Sequence, residues 1–362
     1  MKIPLSDIGF IGNEAAYAKE AIDSAWISGG GPYINRFETL IGKNIQRPHV
    51  ICVANGTMAL ELALRALDIG PGDEVILPAL TFGAPAASVL AVGARPVIVD
   101  ITEESWTIDP HATRSAITPR TKAIITVDVL GHPCDYDALQ DIGIPIIEDA
   151  AEAHGALYKG RPVGSFGLVS TFSFHANKTI TTGEGGCVAT SDEALATRMR
   201  LIANHGMRPD KPYWHEVVGR NFRMTNLTAA IGTGQAECWD RLVAARNAVA
   251  AVYDRELAGV AVQRRVRAPW AEEACWLYTV CVAQRAEVLQ RLRKDGIDAR
   301  ALWTVLPDNP AFQAGIMHDH AVARAIASTA IWLPTWAGMP EEKIAFVARQ
   351  LAAAIDATTA GS

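Results

Sequence analysis

Phe172-Ser173-Phe174-His175-Ala176-Asn177-Lys178-Thr179-Ile180-Thr181-Thr182-Gly183-Glu184-Gly185-Gly186 is the stretch from which the rest of the chain can be read. An apolar strand enters a polar loop carrying one lysine. A glycine-rich turn then leads to a second strand, Cys187-Val188-Ala189-Thr190. A loop lysine taken alone is a solvated charge. Held and partly desolvated, the same amine can form a Schiff base with a carbonyl cofactor. Its neighbourhood decides between the two.

Upstream, short apolar runs at 49–54, 74–78, 95–100, 121–127 and 144–149 alternate with helical patterns at 14–25, 34–45, 58–67 and 84–92. The alternation predicts an α/β fold with a mostly parallel sheet covered on both faces. Asn55-Gly56-Thr57 opens the helix at 58–67, where free N–H groups and the helix dipole favour an anion. Glu61 and Arg65 pair at i,i+4 on the one polar face of that helix. The loop Trp26-Ile27-Ser28-Gly29-Gly30-Gly31-Pro32-Tyr33 reads either as backbone that approaches a ligand closely or as a flexible connector. Phe82 follows a strand end, a place for a ligand contact or a core ring. Asp149 closes a buried strand, where a carboxylate is costly unless a cation or donors meet it. A structural ion pair is the default reading, and a pyridinium nitrogen would satisfy the same need.

Downstream, a helix spans 192–204 and an exposed polar-aromatic loop covers 208–214. Gly219-Arg220-Asn221-Phe222-Arg223-Met224-Thr225-Asn226 then precedes a long helix at about 227–249. Shorter strands such as 277–283 follow, with helices at 285–295 and 341–355. The expected division is a large domain at 1–235 and a small one at 236–362, linked by the long helix.

The 362 residues carry a net charge of −6, and 49% are hydrophobic, which suits a globular protein with a sizeable core. Basic residues are scattered, so nucleic acid is not an expected partner. No apolar stretch reads as a membrane span, and residues 1–7 lack an apolar signal core, so a cytoplasmic location is expected. Six cysteines without a C-x-x-C pair read as buried thiols, and no metal site is expected. His318 and His320 sit together in a polar segment that reads as a solvated loop. No G-x-G-x-x-G follows the first strand, which argues against a dinucleotide site.

Four motifs occur in order: Asn55-Gly56-Thr57; Glu148-Asp149-Ala150-Ala151-Glu152-Ala153-His154-Gly155; Ser173-Phe174-His175 with Lys178 and Thr181-Thr182-Gly183-Glu184-Gly185-Gly186; and Asn221-Phe222-Arg223-Met224-Thr225-Asn226. Together, with the lysine 29 residues after Asp149, they resemble the DegT/DnrJ/EryC1/StrS family of pyridoxal-phosphate sugar aminotransferases. The resemblance is close over about residues 1–250 and looser beyond. It implies the type I aminotransferase fold: a large domain with a mostly parallel seven-stranded sheet, and a smaller C-terminal α+β domain. Lys178 would bind pyridoxal phosphate covalently and shuttle a proton, Asp149 would meet the pyridine nitrogen, and Glu152 would lie near the 3-hydroxyl. Gly56, Thr57 and Ser173 would hold the phosphate, Phe82 would stack on the ring, and Asn221 would reach the phosphate of a neighbouring subunit. A homodimer with shared sites follows from that last role.

The resemblance also implies L-glutamate as amino donor and a nucleotide-linked keto-sugar as acceptor. Trp26, Ser28, Gly30, Tyr33, His175, Arg220 and Arg300 are the substrate candidates, with loop packing the other reading of His175. Relatives with histidine at the lysine position are dehydratases, so Lys178 points to amino transfer. The Trp26-Ile27-Ser28 loop, the 148–156 run and Tyr213-Trp214-His215 are most similar to perosamine-type members, which aminate C4 of a GDP-4-keto-6-deoxyhexose. Arg220 and the 300–304 segment depart from their usual pattern. Amination at C3 of a dTDP-keto-sugar, or of a cyclitol ketone, is the alternative. A non-catalytic cofactor binder is the other class, and it would be expected to lack Lys178 or Asp149.

Overall fold

The computed structural model describes residues 2–313, 316, 317 and 319–359. The strands are β1 (His49–Val53), β2 (Glu74–Pro78), β3 (Arg95–Val99), β4 (Thr121–Val127), β5 (Ile146–Asp149), β6 (Leu157–Tyr158), β7 (Arg161–Pro162), β8 (Val169–Ser173), β9 (Gly186–Thr190), β10 (Ala271–Glu272), β11 (Thr279–Cys281), β12 (Arg300–Ala301), β13 (Ile316–Met317) and β14 (Ala330–Trp332). The main sheet has the order β1-β9-β8-β5-β4-β2-β3-β13. Seven of these strands are the expected ones, and the two-residue β13 adds an eighth alongside β3. Only β9 runs against its neighbours, pairing antiparallel with both β1 and β8. The C-terminal ends of β1, β2, β4, β5 and β8 therefore lie along one edge, together with the start of β9. Ligands bind at that edge in open α/β sheets.

The helices are α1 (Glu14–Asp23), α2 (Pro32–Ile45), α3 (Gly56–Ala66), α4 (Ala84–Ala91), α5 (Pro110–Ser115), α6 (Tyr136–Gln140), α7 (Glu193–Ala203), α8 (Asn226–Glu237), α9 (Trp239–Glu256), α10 (Arg285–Lys294), α11 (Ala321–Thr329) and α12 (Glu341–Thr359). Asn55 caps α3 by accepting from the Met58 N–H at 2.9 Å, and Asp192 caps α7 through Leu195. Arg65 and Glu61 pair at 2.8 Å as expected. Where one long helix is expected at 227–249, two occur. Cys238 leaves helical geometry, and α9 runs seven residues further, to Glu256.

One apolar core lies between α3, α4, α7 and one sheet face, and a second lies under α2 and α8 on the other. A third packs α9, α10 and α12 on β11 and β14. Ile3 joins this third core, exchanging backbone hydrogen bonds of 2.9 Å with Gly296 and Asp298. His320 corrects the solvated-loop reading: it is buried, with Nε2 3.0 Å from the Ile98 carbonyl. His318 lies outside the described residues. No helix among the described residues is long and apolar enough to cross a membrane.

The glycine loop before α2 is held by one buried side chain. The Asn226 amide accepts from the Tyr33 N–H at 2.9 Å and donates to the Trp26 carbonyl at 2.6 Å. The Asn226 N–H donates to the Ser28 carbonyl at 2.7 Å. Gly31 has φ +151°, and a Cβ there would sit 2.3 Å from Asn226 Cγ. Gly31→Ala should therefore cost roughly 2–3 kcal/mol in urea unfolding. An unchanged midpoint would show that this clasp is not structural.

Candidate active site

The sheet edge brings three buried ionisable groups together. Lys178 lies in the loop after β8, Asp149 is the last residue of the neighbouring β5, and Glu152 lies three residues beyond that strand end. Lys178 Nζ is 3.4 Å from Glu152 Oε1 and 3.7 Å from the centroid of the Trp276 ring. The ring face attracts the ammonium without neutralising it. Burial pushes the Lys178 pKa down, against the pull of Glu152 and Asp149, and Arg246 pushes it down further. An amine shifted in this direction gives up its proton more readily than an exposed lysine does.

Asp149 is buried and accepts from the Ala151 N–H at 3.2 Å. Burial raises its pKa to about 7, and Glu152 pushes the same way, while the Ala151 N–H and Lys178 oppose. Burial likewise raises Glu152 above the usual carboxylate range. Glu152 Oε2 accepts from the Leu130 N–H at 2.8 Å. Leu130 has φ +55°, an uncommon backbone for a branched residue. Arg265 holds the same turn by donating to the Val129 and Leu130 carbonyls at 2.8 and 3.2 Å.

Beside this group, the N-terminus of α3 meets the ends of β8 and β9. A Cβ at Gly56 would lie 2.8 Å from Ser173 Cβ, and one at Gly186 would lie 2.5 Å from the Asn55 carbonyl carbon. Gly56 and Thr57, the first residues of α3, therefore lie beside Ser173 at a helix N-terminus, which is suited to an anion.

The remaining sequence candidates scatter. Phe82 is 59% exposed at the end of β2, which removes the core reading within this chain. Asn221 is exposed and accepts from Arg223 Nε at 3.1 Å. Arg220 points to solvent, 3.6 Å from Glu61. His175 is exposed, with Nδ1 3.0 Å from Asn177 Oδ1. Arg300 pairs with Asp298 at 2.8 Å on the surface of the third core. Trp26 is 58% exposed, Ser28 lends its carbonyl to Asn226, and Gly30 has open space around its Cα. Tyr33 turns inward, with its hydroxyl 2.7 Å from Glu20.

Sequence reading missed three contributors. Trp276 carries no local signal. Arg246 does: Leu242, Arg246, Val249 and Tyr253 form one buried stripe on α9, and an arginine within such a stripe is anomalous. His154 was quoted in a motif without a role. Its ring lies 5.5 Å from Phe172 and 5.7 Å from Phe174, with neither nitrogen hydrogen-bonded among the described residues. Burial drops its pKa to about 3, so it is neutral.

The donor set fits pyridoxal phosphate. It offers a poised amine for the carbonyl, a buried carboxyl for a ring nitrogen and a helix N-terminus for a phosphate. Among the described residues, no group of three or more His, Cys, Asp and Glu is arranged to hold a metal ion.

Comparison with known proteins points the same way. The model of the DegT/DnrJ/EryC1/StrS aminotransferase family matches residues 11–352. The GDP-perosamine synthase of Caulobacter vibrioides is 42% identical over 344 residues, covering 92% of this chain and 93% of that one. The GDP-perosamine synthase of Vibrio cholerae is 36% identical over 358 residues, covering 94% and 96%. Among solved structures, S. venezuelae DesV superposes with a TM-score of 0.92 at 34% identity, covering 97% and 98%.

The raised pKa of Asp149 gives a signed prediction for cofactor-free protein. The folded state holds that proton more tightly than the unfolded state, whose carboxyl titrates near 4. The stability it confers is fully present below about pH 4 and is lost progressively as pH rises to about 7. Asp149→Asn should then raise the melting temperature at pH 8.5 by roughly 3 °C and have little effect at about pH 4. Equal shifts at both pH values would contradict the burial argument.

Proposed function

The chain belongs to the DegT/DnrJ/EryC1/StrS aminotransferase family, and from that premise we propose that it moves an amino group from L-glutamate to C4 of a GDP-4-keto-6-deoxyhexose, the perosamine-type reaction. As a member of the family it is a pyridoxal-phosphate-dependent sugar aminotransferase. The observation that carries the chemistry is the buried Lys178 amine, held 3.4 Å from Glu152 and depressed in pKa. The finer substrate rests on the GDP-perosamine synthases, which match over nearly the whole chain.

When bound, pyridoxal phosphate supplies a carbonyl carbon for an amine and a ring that withdraws electrons. Lys178 Nζ would hold the cofactor between turnovers and, once released from it, move the proton at the reacting carbon. Burial lowers its pKa from the ordinary lysine value, the direction that favours a group which must both accept and donate. Asp149 would keep a proton on the ring nitrogen, and pairing with that cation would return the carboxyl to its ionised form. Glu152, oriented by the Leu130 N–H, would hold the 3-hydroxyl. The Gly56 and Thr57 N–H groups and the Ser173 hydroxyl would take the phosphate.

Asn221 and Phe82 are exposed in the single chain. Asn221 would reach the phosphate bound by a second subunit, which makes the working unit a homodimer with two shared sites. Exposed Trp26, Arg220 and His175 would line the sugar-nucleotide entrance from the two chains. Amination at C3 of a dTDP-keto-sugar or of a cyclitol ketone is the alternative. A panel of keto-sugar nucleotides decides, with product formation from the GDP-4-keto sugar the expected outcome.

Lys178→Ala should abolish the visible absorbance that pyridoxal phosphate acquires on the protein and the loss of that absorbance on adding L-glutamate. Wild-type turnover in this variant would overturn the assignment. Mixing and re-equilibrating inactive Lys178→Ala with weakened Asn221→Ala should recover about a quarter of wild-type activity, because mixed dimers retain one intact site. No recovery above the unmixed variants would mean that Asn221 serves its own subunit.

A further inference from the structure

Arg246 is buried on α9, yet its guanidinium faces carbonyl oxygens. One terminal nitrogen donates to the Trp276 carbonyl at 2.5 Å. The other donates to the Asn177 and Lys178 carbonyls at 3.0 and 3.2 Å, and Nε has no partner among the described residues. Trp276 Nε1 also donates to the Asn177 carbonyl at 3.0 Å, while its ring lies under Lys178 Nζ. A buried cation that serves only as a backbone tie is costly, and an apolar residue of similar volume can often be tolerated in its place.

We propose that Arg246 is the positioning residue of Lys178, fixing from α9 the backbone of the lysine and its tryptophan platform. The inference rests on the role given to Lys178 above and adds to it the device that holds and tunes that amine. Every charged or titratable neighbour acts in a definite direction. Glu152 and Asp149, from the β5 end, favour the ammonium, while burial and Arg246, from α9, oppose it. His154 is neutral, and Cys275, which is also near Arg246, is held protonated by burial.

The test uses cofactor-free full-length protein, so it does not depend on the amino donor or the sugar. Reductive methylation of Lys178 is followed by mass spectrometry across pH, with Lys178→Ala as the peptide control. Arg246→Gln and Arg246→Met should raise the pH midpoint of labelling by about one unit, a tenfold loss of reactivity below it. Arg246→Lys restores the charge and should restore the midpoint. The single nitrogen of an ammonium cannot span the carbonyls that two separate guanidinium nitrogens reach, so this variant should acquire the visible pyridoxal-phosphate band at least about tenfold more slowly. A folded neutral variant with the wild-type midpoint overturns the proposal. If neither neutral variant folds, an unchanged rate of band formation in Arg246→Lys overturns it. Wild-type protein that labels normally at Lys178 but never acquires the band would instead count against the functional reading.

Discussion

An amine and two carboxylates share the water-poor edge of one sheet, and the structure around them is arranged to make that tolerable. Lys178, Asp149 and Glu152 are all shifted toward their neutral forms by burial. Each shift stores free energy that a ligand with complementary charge would release. The fold supplies the place because five strand ends and one helix N-terminus converge on that edge. The same convergence puts Gly56 against Ser173 and Gly186 against Asn55, where a side chain on either glycine would collide.

The cost is distributed over elements far apart in sequence. The Leu130 N–H orients Glu152, and its left-handed backbone is held by Arg265 from the segment before β10. Trp276, Asn177 and Lys178 are joined through α9. Second-layer contacts of this type fix the rotamers of reacting groups, and without them a buried charge would draw in water. His154 departs from this pattern. It lies among aromatic rings with neither nitrogen hydrogen-bonded among the described residues, and no feature of the surrounding rings explains why imidazole stands there.

Much of this was legible in one dimension. The alternation of apolar runs and helical patterns gives the parallel sheet, because buried parallel strands must be apolar on both faces. The motifs around Asp149 and Lys178 carry the family resemblance, and it is the resemblance that implies one site for the strand-end carboxylate and the loop amine. Other features were not legible. Helix α9 continues to Glu256 after a break at Cys238, where local propensity alone suggests one uninterrupted element. His320 reads as solvated beside polar neighbours, but packing of α11 against the β3 edge buries it. The glycine loop reads as ligand-facing or flexible, while its close approach is to the Asn226 side chain.

The sequence by itself determined the fold class and the family and singled out Lys178 as the candidate amine, since these rest on residue type, period and order along the chain. The tertiary structure decided the state of that amine. Burial, the Trp276 ring 3.7 Å away and the carboxylate at 3.4 Å arise from segments up to about a hundred residues apart. Electrostatic free energy depends on distance and solvent exclusion, and neither quantity is written in the order of residues.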